Sequence, residues 1–75
     1  MTETAVSPSQ VFAKNMRKSR LRRGLTQERL AFAMRMHRTE ISLLERGERD
    51  PRLSTVVKLA RALDCTPSSL LEDVQ

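Results

Sequence analysis

The apolar residues of this chain fall in short rows spaced three and four apart, and a helix-stopping residue cuts off each row within about five turns. That punctuation restricts the fold more than any other feature. Rows at this spacing line one face of an α-helix, whereas a strand needs alternation. "SPSQ" opens the first segment, with Ser7 as N-cap, Pro8 at the first helical position and Gln10 placed to complete a capping box. This helix is predicted to run to about Arg23 and stop at Gly24, with Phe12, Met16 and then Arg20 on its inward row. Thr26 caps a second helix over about 27–34, whose Leu30, Ala31 and Met34 face inward. A third is predicted over about 38–46, burying Ile41 and Leu44; Gly47 ends it and Pro51 forbids its continuation. The fourth begins at Leu53 or Ser54 and keeps Val56, Leu59, Ala60 and Leu63 on one side. Thr66 and Pro67 open a short fifth. The expected fold class is all-α, five short helices in one compact domain.

Composition agrees. With no tryptophan, no tyrosine and two phenylalanines, the core must be built from Leu, Ile, Val, Met and Ala, which suits packed helices better than a sheet. A chain of 75 residues makes one small domain that buries only about 60% of its unfolded surface. Residues 1–7 are expected to form a flexible tail and 8–75 the domain, with no linker and no internal repeat. Neither a membrane span nor a basic-then-apolar leader stands in the sequence, and the single Cys65 suits a reducing compartment, so a cytoplasmic protein is expected. One His and one Cys make no paired metal site, and no cofactor is expected. No acid pair lies in an apolar setting, no nucleophile stands with a base, and no glycine loop could cradle phosphate. No catalytic residue is therefore assigned.

Charge is more informative. Fourteen Lys and Arg against nine Asp and Glu leave a net charge of +5. The excess is concentrated in "KNMRKSRLRR", residues 14–23, which holds six basic side chains and no acid. Such a run fits a polyanion. With no aromatics interleaved for stacking on unpaired bases, a single-strand binder is disfavoured. A second oddity lies in "HRTEISLLERGERD": opposite Ile41 and Leu44, the third helix carries Thr39, Ser42, Leu43 and Arg46. Core packing does not explain a leucine exposed among short polar groups and arginines. A partner surface does.

The second helix, a three-residue turn and the third helix form a helix-turn-helix candidate, with Ala31 small where the two must cross. "GLTQERLA" and "ISLLERGERDPRLSTVVKLARALDCTPSSLL" resemble the Cro/cI-type, or Xre, family of helix-turn-helix regulators from about Phe12 to Leu71. The resemblance implies a five-helix domain of the lambda-repressor-like type that binds double-stranded DNA as a symmetric homodimer, its third helix in the major groove. "HRTEIS" and the small size also resemble the controller proteins of restriction–modification systems. The function this likeness implies is regulation of transcription from a near-palindromic operator, by blocking RNA polymerase or by touching it from a site just upstream. Two rivals use the same fold: the DNA-binding antitoxin of a toxin–antitoxin pair, and a protein-interaction module with no DNA role.

The resemblance also assigns residues. Arg38, Thr39 and Leu43 match base-contacting positions, with Ser42 on the same face. Arg38 could fork onto guanine O6 and N7, and Thr39 or Leu43 could pack on a thymine methyl. Gln27, at the start of the second helix, and Arg46, Arg49 and Arg52 are expected on phosphates. The inward Arg20 needs an acid, and Glu45, four residues after Ile41, is its expected partner in a structural ion pair. His37 stands where the family commonly has a Ser or Thr cap, and could cap through a ring nitrogen. Glu40 is expected to reach back and satisfy that helix end; its alternative is to accept from a cytosine amino group. Arg35 and Asp64 replace glycines common in the family, and at positive φ the arginine costs roughly 1–2 kcal/mol. The apolar Leu70, Leu71 and Val74 exceed what a short fifth helix needs, so the dimer is expected to form through that region.

Overall fold

Ser7 caps the first helix through both halves of its capping box: its hydroxyl accepts from the Gln10 N–H, and the Gln10 side chain accepts from the Ser7 N–H. The computed structural model describes residues 6–75, so most of the expected tail over residues 1–7 lies outside the described residues. Among these, five helices and no strand are found: α1 (Pro8–Arg22), α2 (Gln27–Met34), α3 (Arg38–Glu45), α4 (Leu53–Ala62) and α5 (Pro67–Leu70). Thr26 and Thr66 cap α2 and α5 by accepting from the N–H groups of Arg29 and Ser69. Arg52 stands at the N-cap of α4 and makes no side-chain cap hydrogen bond.

The inward rows close on one another. Phe12 and Met16 from α1, Leu30, Ala31 and Met34 from α2, and Ile41 and Leu44 from α3 meet Val56, Leu59, Ala60, Leu63 and Leu70 in one core. α3 packs against both α2 and α1, while α4 packs on α2 and α5. Ala31 is 4% exposed, and a larger side chain there would hold α2 off α3. Arg20 alone among polar or charged residues is buried among those described.

Three turns need the left-handed region from residues that resist it: Arg35 at φ 55°, Asp64 at φ 54° and Asp73 at φ 65°. Gly47 needs its missing side chain twice over. Its φ is +71°, and a Cβ there would stand 3.0 Å from Gln10 Cγ and 3.1 Å from Gln10 Cα. The start of α1 thus rests directly on the turn that leaves α3.

Two expectations need correction. Glu40 does not cap α3; His37 does, its Nδ1 accepting from the Thr39 N–H at 3.3 Å, and the Glu40 carboxylate turns to Arg49 instead. The carboxylate has a charged partner in the next loop, which binds it more strongly than a neutral N–H does. The end of the chain also offers less apolar surface than its composition suggests. Leu70 is fully buried and Val74 packs on the core. The Asn15 amide holds that segment to α1 by donating to the carbonyls of Leu70 and Glu72, at 2.9 and 2.8 Å. Leu71 remains open at 39% exposure, and Leu53, at the start of α4, at 76%.

Candidate nucleic-acid interface

α2 and α3 are joined by a tight reversal at Arg35, where the N–H of Met36 returns to the Ala31 carbonyl at 2.9 Å. The reversal sets α3 across α2 with Ile41 and Leu44 inward, so its other side faces solvent. Arg38, Thr39 and Arg46 are exposed there, and Ser42 and Leu43 are half-buried. Leu43 is therefore less exposed than the sequence pattern suggests. The chain turns back at the end of α3, where the Glu48 N–H donates to the Leu43 carbonyl at 3.0 Å. The face keeps a guanidinium at each end and short polar and apolar groups between. Those are the chemistries that read base edges and thymine methyls.

Behind this face, Arg20 and Glu45 meet in a two-pronged pair, Nε to Oε2 at 2.6 Å and Nη2 to Oε1 at 3.0 Å. Their side chains are 9% and 3% exposed. The remaining Arg20 nitrogen donates to the Leu25 carbonyl at 2.7 Å, and the Gln27 amide donates to Glu45 Oε1 at 3.1 Å. The pair thus joins α1, α3 and the start of α2. Gln27, expected on a phosphate, is half-buried and gives its amide N–H to Glu45. Its second amide N–H is left to meet a phosphate, beside the backbone N–H groups at the start of α2. No buried side-chain polar atom among the described residues lacks a partner.

The arginines assigned to phosphate differ in their neighbours. Arg49 Nη1 lies 2.6 Å from Glu40 Oε2, and Arg46 Nε lies 3.4 Å from Glu48 Oε2. Arg52 is exposed and has no acid within ion-pairing distance among the described residues, and Arg38 likewise. The basic run of α1 joins this surface. Lys14, Arg17 and Lys18 share a shallow groove with Arg46, at the end of α3. The expected Arg20–Glu45 pair already set α1 beside α3; which side chains of the run line that seam is a tertiary fact. Sequence reasoning missed Phe32, 86% exposed on α2 beside Leu25 and Ala33. No group of three or more metal-ligating side chains, and no helix able to cross a membrane, occurs among the described residues.

Comparison with known proteins agrees with this geometry. The profile of HTH_3, a helix-turn-helix family, matches residues 16–70. The control protein C.BamHI of Bacillus amyloliquefaciens is 40% identical over 63 residues, 83% of this chain and 78% of that protein. The restriction-modification controller protein C.AhdI of Aeromonas hydrophila superposes with a TM-score of 0.79 at 39% identity, over 83% of this chain and 94% of that one. The controller protein C.Esp1396I, solved as a tetramer in complex with its natural 35-base-pair operator, matches with a TM-score of 0.79 at 26% identity, over 93% and 92% of the two chains. The resemblance read from "GLTQERLA" and the stretch that begins "ISLLERGERDP" therefore holds across most of the sequence and in the fold, and the chain belongs to the HTH_3 helix-turn-helix family.

Proposed function

We propose that the protein is a sequence-specific double-stranded DNA-binding regulator of transcription, of the restriction–modification controller kind. The observation that carries this is the outward side of α3: Arg38, Thr39, Ser42, Leu43 and Arg46 on a helix whose opposite side locks it to α1 and α2. In this reading a homodimer sets two copies of α3 in successive major grooves. Arg38, Thr39, Leu43 and Ser42 touch bases. Gln27 and the backbone N–H groups beside it, with Arg46, Arg49 and Arg52, grip phosphates on either side. The likeness to C.BamHI and C.AhdI, and the operator-bound assembly of C.Esp1396I, support it.

The dimer forms at the α5 end, where Leu71 with Pro51, Pro8 and Val74 lines a shallow apolar depression, and Leu53 adds an exposed side chain nearby in sequence. Bound just upstream of a promoter, such a dimer touches RNA polymerase; bound across it, it blocks. The test is selection of bound fragments from random duplex DNA. Enriched sequences are expected to hold two inverted half-sites about 10–11 base pairs centre to centre, one helical turn. Enrichment of a single asymmetric site would remove the dimer, and no enrichment at low salt would remove the DNA reading.

A further inference from the structure

Besides the buried Arg20–Glu45 pair, three exposed basic side chains among the described residues are held by nearby acids, and the three pairs are not alike. Arg23–Asp64 at 3.7 Å and Arg46–Glu48 at 3.4 Å are long and lie well out in solvent. Glu40–Arg49 is short, 2.6 Å, and runs from the first turn of α3 to the loop beyond its far end. Its side chains are 36% and 47% exposed, so it adds little to the stability of the fold. Its position matters more. The first turn of a recognition helix is the part that meets base edges, and the loop after it is placed to meet the backbone. Glu40 is also the one acid of α3 left outside the Arg20 pair.

We propose that Glu40 is a specificity-determining residue that withholds Arg49 from DNA until the correct base is present, an inference that rests on the DNA-binding reading above. A phosphate can take the Arg49 guanidinium only by displacing the Glu40 carboxylate. The displaced carboxylate then lies in a polyanion's field with no counterion. On random DNA that loss is uncompensated, so Arg49 stays on Glu40 and contributes no phosphate contact. On the operator, the freed carboxylate accepts from the exocyclic amino group of a cytosine or adenine in the major groove, the base chemistry an acceptor-only side chain recognises. Arg49 then moves to the backbone. The exchange makes one phosphate contact conditional on one base.

The test is the set Glu40→Gln, Arg49→Ala and the double variant, each titrated with operator and random duplex at several salt concentrations. Glu40→Gln removes the competing charge without changing the side chain's size. It is expected to tighten random-duplex binding about three- to tenfold, and to steepen the dependence of log affinity on log salt by about 1.8, one added phosphate for each protomer of the dimer. It should also lower the operator-to-random ratio and relax preference at one amino-bearing base per half-site. On the Arg49→Ala background, Glu40→Gln should change random-duplex affinity and slope hardly at all. Glu40→Gln leaving random affinity and slope at wild-type values, or gaining equally without Arg49, overturns the proposal. Wild-type protein that binds neither duplex defeats the DNA reading itself. The two failures are thus distinct.

Discussion

Glu45 is asked to satisfy two side chains at once, and its near-complete burial makes the demand strict. With Arg20 on both oxygens and Gln27 on one, it leaves no room for an unpaired charge. Removing one partner of a buried pair typically costs about 3–5 kcal/mol, most of it the stranded charge on the other. Glu45→Ala should therefore lower the melting temperature by well over ten degrees, at about 4–8 °C per kcal/mol for a domain this small. A melt within a degree of wild type would show that the pair does not hold the fold together. Arg35 is the opposite case, a residue the fold tolerates at a cost. Held at φ 55° with its backbone fixed on both sides, it should gain about 1 kcal/mol on replacement by glycine. Denaturant titration checks this, and a loss of stability would show that the arginine side chain makes a compensating contact.

At the level of the helices, the periodic and local signals were legible in sequence, and the choices of partner were legible only where chemistry left one option. The rows Phe12–Met16–Arg20, Leu30–Ala31–Met34 and Val56–Leu59–Ala60–Leu63 are set by residues a turn apart, so the spacing alone places them. The caps Ser7, Thr26 and Thr66 act across three residues and were equally plain. Arg20 could be matched to Glu45 because a buried cation needs an acid. Glu40–Arg49, Gln27–Glu45 and Asn15 with the Leu70 carbonyl were not legible, since they join polar groups 9, 18 and 55 residues apart for which water was an equal alternative. The half-burial of Leu43 was hidden too, since helical spacing assigns a residue to a face but does not say how far its neighbours cover it. The recognition face still divides into testable roles. Arg38→Ala should cost about 1–3 kcal/mol on the operator and relax preference at one position per half-site. Leu43→Ala should cost less and chiefly blunt the distinction between thymine and uracil. If both variants keep the operator-to-random ratio while dimerisation is lost, that face belongs to a protein contact.

For the molecule as a whole, the net charge of +5 and the α1 ridge beside α3 imply that a large share of affinity is electrostatic. Log affinity should fall linearly with log salt, with a slope of about −0.9 for each phosphate neutralised. Replacing Lys14, Arg17 and Lys18 together by Gln should flatten that slope for operator and random duplex alike, since phosphates carry no sequence. Unchanged affinity from low to physiological salt would contradict a phosphate-tracking surface. The length of α3 has a consequence of another kind. Eight residues at about 1.5 Å each give a rod of about 12 Å, which lies along roughly four base pairs at about 3.4 Å apiece. Four fully read positions recur by chance about once in 250, and two such half-sites about once in 65,000. Among roughly a million genomic positions, that leaves on the order of fifteen accidental full matches. Two turns of helix therefore hold too little information to name one address. A regulator with one address would draw the remainder from sequence-dependent DNA shape or from contacts made beyond α3.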